Sequence, residues 1–174
     1  MSNPKLTTLK QAKEHLRENF EEGVNCPCCG QFVRLYRRPI NSTMARALVW
    51  IAGESQKSKG GWVDVPAKAP KWLTKTNQHT TLRWWGLLER MPNDESYKKH
   101  SGVWRPTKKG IAFALGETKV PKHILHYNNK VIGQSDETVD ISEAFGVKFD
   151  YKELMNQAGL HDSLAVKAKW WFLA

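Results

Sequence analysis

Long apolar runs are missing from this chain. No segment approaches the roughly 20 consecutive apolar residues that a spanning helix requires, and the opening MSNPKLTTLK lacks the pattern of a signal peptide. A cytoplasmic protein with no membrane partner is therefore expected. Cysteine is absent outside one tetrapeptide, Cys26-Pro27-Cys28-Cys29. Neighbours that close, and an odd total, exclude an ordinary disulfide framework. Acidic side chains are few, 17 Asp and Glu against 27 Lys and Arg, for a net charge of +10. The chain carries no P-loop, no G-x-G-x-x-G, no nucleophile elbow and no H-E-x-x-H. With no catalytic signature, a non-enzymatic protein is expected.

What is present is enough to build a core. Hydrophobic residues make up 40% of the 174, and eight are tryptophan, so a wholly disordered chain is excluded. The charge is unevenly spread. Residues 1–22 hold four basic and four acidic side chains, residues 23–130 hold nineteen against six, and residues 131–174 hold four against seven. The excess of +13 on the central segment is the pattern of a surface that meets a polyanion.

The local patterns predict an α+β chain in three parts, 1–42, 43–118 and 119–174. Leu9, Ala12, Leu16 and Phe20 form one apolar stripe, with Thr8 and Gln11 as a capping box and Gly23 as the stop. Phe32 to Ile40 reads as a strand, Val33 and Leu35 on one face against Phe32, Arg34 and Tyr36 on the other, with Arg37 and Arg38 adding charge. A helix apolar around most of its circumference follows from Ser42 to Gly53 and is expected at the centre of the core. Next come a short strand at Trp62–Val65, a short helix from Pro70, a helix over 76–85, a strand at 87–91, a turn-rich loop over 92–102, a strand at 103–106 and a helix from Lys108 capped by Thr107. The last part is a β-hairpin turning at Asn128-Asn129, then short helices at Ser142–Phe145 and from Asp150.

The knuckle NCPCCGQ leaves several chemistries open. C-P-x-C-G is a turn that points two thiolates, here Cys26 and Cys29, at one ion, with a glycine whose positive φ lets backbone N–H groups approach sulfur. A structural zinc needs four ligands, and His123 and His126 are the pair available to complete it. On a strand, residues three apart point to opposite faces, so both can ligate only if the strand bends. A metal-free turn and a redox dithiol are the alternatives. His123, His126, Asn128 and Asn129 beside the cysteines also suggest a metal-dependent nuclease of the ββα type, though the ordering and a second Cys pair are missing.

The run L-x-x-W-G-L-L-E-x-x-P (Leu82–Pro92), followed by W-R-P-T-K-K-G-I-A-F (Trp104–Phe113), resembles the reading helix, wing and last helix of MarR-like winged-helix proteins over about residues 43–116. The long terminal helices through which those regulators dimerise have no counterpart here. The whole chain also resembles small phage and prophage proteins that begin with a CPCCG knuckle. These resemblances imply a winged helix-turn-helix core with an N-terminal helix and zinc-ribbon-like knuckle, encoded by a phage and working in the host cytoplasm. They imply a DNA-binding accessory or regulatory role. The helix over 76–85 would offer Gln78, His79, Thr81 and Arg83 to a major groove. Lys71, Lys75, and Lys98, Lys99 and His100 at the wing tip would hold phosphates. The alternative is a protein-binding inhibitor or adaptor that acts on a host enzyme or defence system.

Overall fold

Hydroxyl and carboxylate caps punctuate the helices along this chain, and much of its architecture follows from them. The computed structural model describes residues 8–59, 61–93 and 101–160; the expectations placed on Lys98, Lys99 and His100 lie outside these. In chain order the elements are α1 (Leu9–Glu18), β1 (Val24–Asn25), β2 (Phe32–Val33), β3 (Tyr36–Pro39), α2 (Ser42–Lys57), β4 (Val63–Asp64), α3 (Val65–Lys68), α4 (Lys71–Thr76), a 3-10 helix (Gln78–Trp85), β5 (Leu88–Arg90), β6 (Val103–Pro106), α5 (Lys108–Ala114), β7 (Val120–Pro121), β8 (His123–Tyr127), β9 (Lys130–Gln134), β10 (Thr138–Val139), α6 (Ile141–Phe145) and α7 (Tyr151–Ala158). The fold is mixed α and β, with small antiparallel sheets.

Two compact units emerge, each assembled from separated stretches: Met1–Pro39 with His123–Ser135, and Ile40–Lys122 with Asp136–Ala174. The divisions at 42/43 and 118/119 follow chain order, whereas the units follow strand pairing. The hairpin β8–β9 belongs with the N-terminal stretch because β3 pairs along β8, Tyr36 opposite His126 through Pro39 opposite His123.

In the first unit, Thr8 caps α1 through the expected reciprocal box with Gln11. The helix stops at Glu18 rather than reaching Glu22, because Asn19 caps it: its backbone and side-chain amides both donate to the His15 carbonyl. Phe20 then meets the Tyr127 ring edge-on at 5.2 Å, and the Leu35 N–H donates to the Phe20 carbonyl. β9 completes the sheet order β3-β8-β9. The hairpin turns where expected, with Asn128 and Asn129 at φ of 46° and 61°, both in the left-handed region that a two-residue turn of this kind needs.

In the second unit, α2 is the central helix, with Met44, Leu48 and Ile51 wholly buried. Gly53 does not end it. The helix runs on to Lys57, and Gly53 serves as a point of close approach instead, since a Cβ there would lie 2.5 Å from the Ala158 carbonyl of α7. The strands β4, β6 and β5 form a sheet in that order, with Val63 opposite Trp104 and Leu88 opposite Pro106. Thr107 caps α5 and its hydroxyl also donates to the Gly86 carbonyl. The Tyr151 hydroxyl, on α7, donates to the Ala114 carbonyl at 2.7 Å. Burial, with Glu117 and Asp140 nearby, raises its pKa and keeps it a donor.

The helix expected over 76–85 is divided. Asn77, at φ 49°, closes α4 by donating its N–H to the Leu73 carbonyl, so Thr76 belongs to α4. The residues beyond it wind as a 3-10 helix. There the hydroxyls of Thr80 and Thr81 donate to the carbonyls three residues back, on Asn77 and Gln78, a spacing that suits the tighter 3-10 turn.

Candidate nucleic-acid interface and cysteine knuckle

The basic surface begins at α3. Residues 65–88 contain Lys68, Lys71, Lys75 and Arg83 and no carboxylate. All four cations are exposed. Lys71 and Lys75 sit four apart on α4 and so share one face of it. Lys68, at the end of α3, belongs with them; its signal in the sequence was the same carboxylate-free run. Arg83 projects from the 3-10 helix, whose buried side is Leu82 and Trp85. The Trp85 ring N–H is satisfied by the Pro121 carbonyl at 2.7 Å. Trp84 is half-buried.

The remaining groove residues are placed otherwise than expected. His79 is 4% exposed and cannot reach a groove. Its ring packs edge-on against Trp104 at 5.5 Å, and its buried Nδ1 has no hydrogen-bond partner. Burial drives its pKa down to about 4, so the ring is neutral. Gln78 accepts a hydrogen bond from the Asn41 amide at 3.0 Å, on the residue that caps α2. Thr81 is half-buried and its hydroxyl is spent on the Gln78 carbonyl and the Met44 sulfur. The 3-10 winding explains this, because three residues per turn puts 79, 82 and 85 on one line, and that line faces the core.

Beside these residues is a cleft of about 560 Å³, lined by Val65, Thr74, Asn77, His79, Arg90 and Trp104 among others. The Arg90 guanidinium lies 5.7 Å from the Trp104 ring centroid. The hairpin β5–β6 is further pinned by the Arg105–Glu89 ion pair, with Arg105 also 4.3 Å over the Trp62 ring. No family model, curated protein or solved structure matches the chain.

The knuckle folds as its sequence requires. The Cys26 N–H donates to the Gln31 carbonyl at 2.7 Å and the Gly30 N–H to the Cys26 carbonyl at 2.8 Å, with Gly30 at φ 75°. The backbone N–H groups of Cys29 and Cys28 point at the Cys26 thiol and lower its pKa, whereas partial desolvation and the neighbouring thiols raise that of Cys28. All three thiols are free. His123 and His126 alternate across β8 as strand geometry demands, despite a bulge between Leu125 and His126. The His126 ring stacks on Tyr36, and the His123 backbone N–H donates to the Ser135 hydroxyl while its ring Nδ1 is buried without a hydrogen-bond partner. Among the described residues, no group of three or more His, Cys, Asp or Glu converges as metal ligands would. Asn128 and Asn129, weighed above as nuclease residues, form the hairpin turn.

The opposed pKa directions give an order of reactivity. In chelator-treated protein near neutral pH, limited iodoacetamide should label Cys26 ahead of Cys28, since the thiolate is the nucleophile. Peptide mass mapping reads the order, and faster labelling of Cys28 would contradict the proposed N–H contacts to Cys26.

Proposed function

We propose that Ile40–Lys122 is a winged helix-turn-helix module and that the protein is a DNA-binding accessory or regulatory protein. The observation that carries this reading is a coincidence of two features. The order α2, β4, α3, α4, 3-10 helix, β5, β6, with sheet order β4-β6-β5, is compatible with a winged helix, and the carboxylate-free run 65–88 covers its helical segments between β4 and β5. On this reading Lys68, Lys71 and Lys75 hold phosphates and set the affinity. Arg83 is the long donor of the 3-10 helix that reaches a base edge or phosphate.

A gel-shift series against duplex DNA, single-stranded DNA and RNA, at about 50 and about 200 mM salt, tests it. Duplex binding near micromolar protein, falling steeply with salt, is expected. The triple variant Lys71→Glu, Lys75→Glu, Arg83→Glu should weaken it by about tenfold or more, because charge-assisted hydrogen bonds each contribute about 1.5–3 kcal/mol. Binding that ignores salt or the triple variant would end the reading.

One observation favours a second reading, a protein-binding adaptor or inhibitor. Of the four residues expected to face a groove, His79 is buried and Gln78 is bonded to Asn41, which leaves little on the 3-10 helix to read bases. A partner that co-purifies through the same exposed face, with no salt-dependent duplex binding, would select it.

A further inference from the structure

The first unit carries a surface that the reading above does not use. Phe32 and Tyr36 are 52% and 51% exposed, although rings of that size are ordinarily drawn inward. They alternate with Arg34 and Arg38, while Val33 and Leu35 between them turn inward or are half-covered. The run Phe32-x-Arg34-x-Tyr36 thus presents ring, guanidinium, ring on alternate positions, with Arg38 half-buried beyond it. Phe32 and Arg34 lie side by side over Gly23: a Cβ built there would be 2.5 Å from Phe32 Cζ and 3.3 Å from Arg34 Cδ. Tyr36 stacks on His126 across the strand pair, centroids 5.7 Å apart and planes 24° apart. Burial and the Arg38 charge both lower the His126 pKa and favour its neutral ring. Val131, opposite His126 on β9, extends this row and is 46% exposed.

The strands of the neighbouring sheet, β3, β8 and β9, contain Arg37, Arg38 and Lys130 and no carboxylate, with Glu21 beside Arg37 and Leu125. A surface of exposed rings interleaved with arginines suits a ligand that offers open aromatic faces and regularly spaced anions. Single-stranded nucleic acid has both. Duplex DNA has the anions but covers its base faces by stacking, and an acidic peptide has the anions without the rings.

We propose that the segment from Phe32 to Tyr36, with His126, is a single-stranded nucleic-acid binding surface. Bases stack on Phe32 and Tyr36, and the exposed Arg34 between them holds the intervening phosphate. The site lies wholly in the unit formed by Met1–Pro39 and His123–Ser135, so it stands or falls apart from the basic face of the second unit.

Fluorescence anisotropy of labelled oligo(dT) and oligo(U), titrated with the full chain, tests it. Binding near micromolar protein is expected, with unlabelled duplex a weaker competitor. Phe32→Leu and Tyr36→Leu keep apolar bulk and remove the ring, and each should weaken binding about 5- to 150-fold, the range of one lost base stack. Tyr36→Phe should bind as the parent does. Arg34→Gln should lower the salt slope by about 0.7. Absence of single-strand binding, or leucine variants that bind as tightly as the parent, would overturn the proposal. The triple variant Lys71→Glu, Lys75→Glu, Arg83→Glu separates the two readings. If it abolishes duplex binding and the leucine variants change nothing, the second-unit surface stands and this one fails. The reverse pattern leaves this surface standing and removes the other.

Discussion

Gly110→Ala should lower the melting temperature by about 10 °C or prevent folding of the second unit, the largest effect expected of any single methyl group here. A Cβ at Gly110 would lie 2.0 Å from the Leu87 carbonyl oxygen and 2.9 Å from its carbon, and backbone atoms cannot rotate away as a side chain does. The start of α5 is tied to residues 85–87 by a dense set of bonds. The Thr107 N–H donates to Leu87 at 3.1 Å, the Thr107 hydroxyl to Gly86 at 2.6 Å, and the Lys109 ammonium to Trp85 at 2.9 Å. The same threonine oxygen accepts from the Gly110 N–H at 3.0 Å. Moving α5 off β5 to admit the methyl breaks several of these together. Overpacking of this kind costs about 3 kcal/mol or more where the neighbour is rigid, and roughly 3 kcal/mol corresponds to about 10 °C for a domain of this size. Since Leu87 lies two residues beyond the 3-10 helix that carries Arg83, duplex binding should fall in the same variant. Calorimetry decides it: a melting temperature within about 2 °C of the parent would mean that α5 does not approach β5 as closely as described.

Acid should destabilise the protein through His79 before its carboxylates titrate fully. In the folded chain the His79 pKa is about 4, whereas an unfolded histidine titrates near 6.5. Below about pH 6.5 the unfolded chain takes up a proton that the folded one refuses. Stability is therefore complete above pH 6.5 and declines as pH falls toward 4. At 1.36 kcal/mol per pH unit, the loss reaches about 2 kcal/mol by pH 5. His79→Leu removes the titration and also the unpartnered Nδ1, so it should match or exceed the parent at neutral pH. Urea midpoints at pH 7 and pH 5 for both proteins isolate the term, because the carboxylates are common to both. Equal losses in parent and variant would show that His79 is not held neutral against Trp104.

Local signals were legible wherever a side chain acts on its own backbone. The Thr8–Gln11 box, the Thr107 cap, the Asp150 cap and the Asn128-Asn129 turn each occur where the residues predict them, because a cap or turn is an interaction within a few residues. The apolar circumference of α2 was legible for a similar reason: a helix with no polar stripe has no face to give to water. Gly53 was misjudged as a stop because its role depends on the distant Ala158 backbone. The winding of residues 78–85 was equally hidden. An α-helical count sends Gln78, His79, Thr81 and Arg83 to open faces, while the 3-10 turn aligns His79 with Leu82 and Trp85 toward the core.

From its sequence alone the chain is determined to be mixed α and β, basic over residues 23–130, with a C-P-x-C-G turn and an aromatic–arginine alternation from Phe32 to Arg38. These follow from composition and short-range spacing, which survive whatever the distant contacts are. Tertiary structure alone decided three further points. It groups the β8–β9 hairpin with the N-terminal stretch, it buries His79, and it leaves the knuckle thiols without a converging histidine among the described residues. Each depends on which residues far apart in the chain pair or pack together, and strand register and helix approach carry that information where local pattern does not.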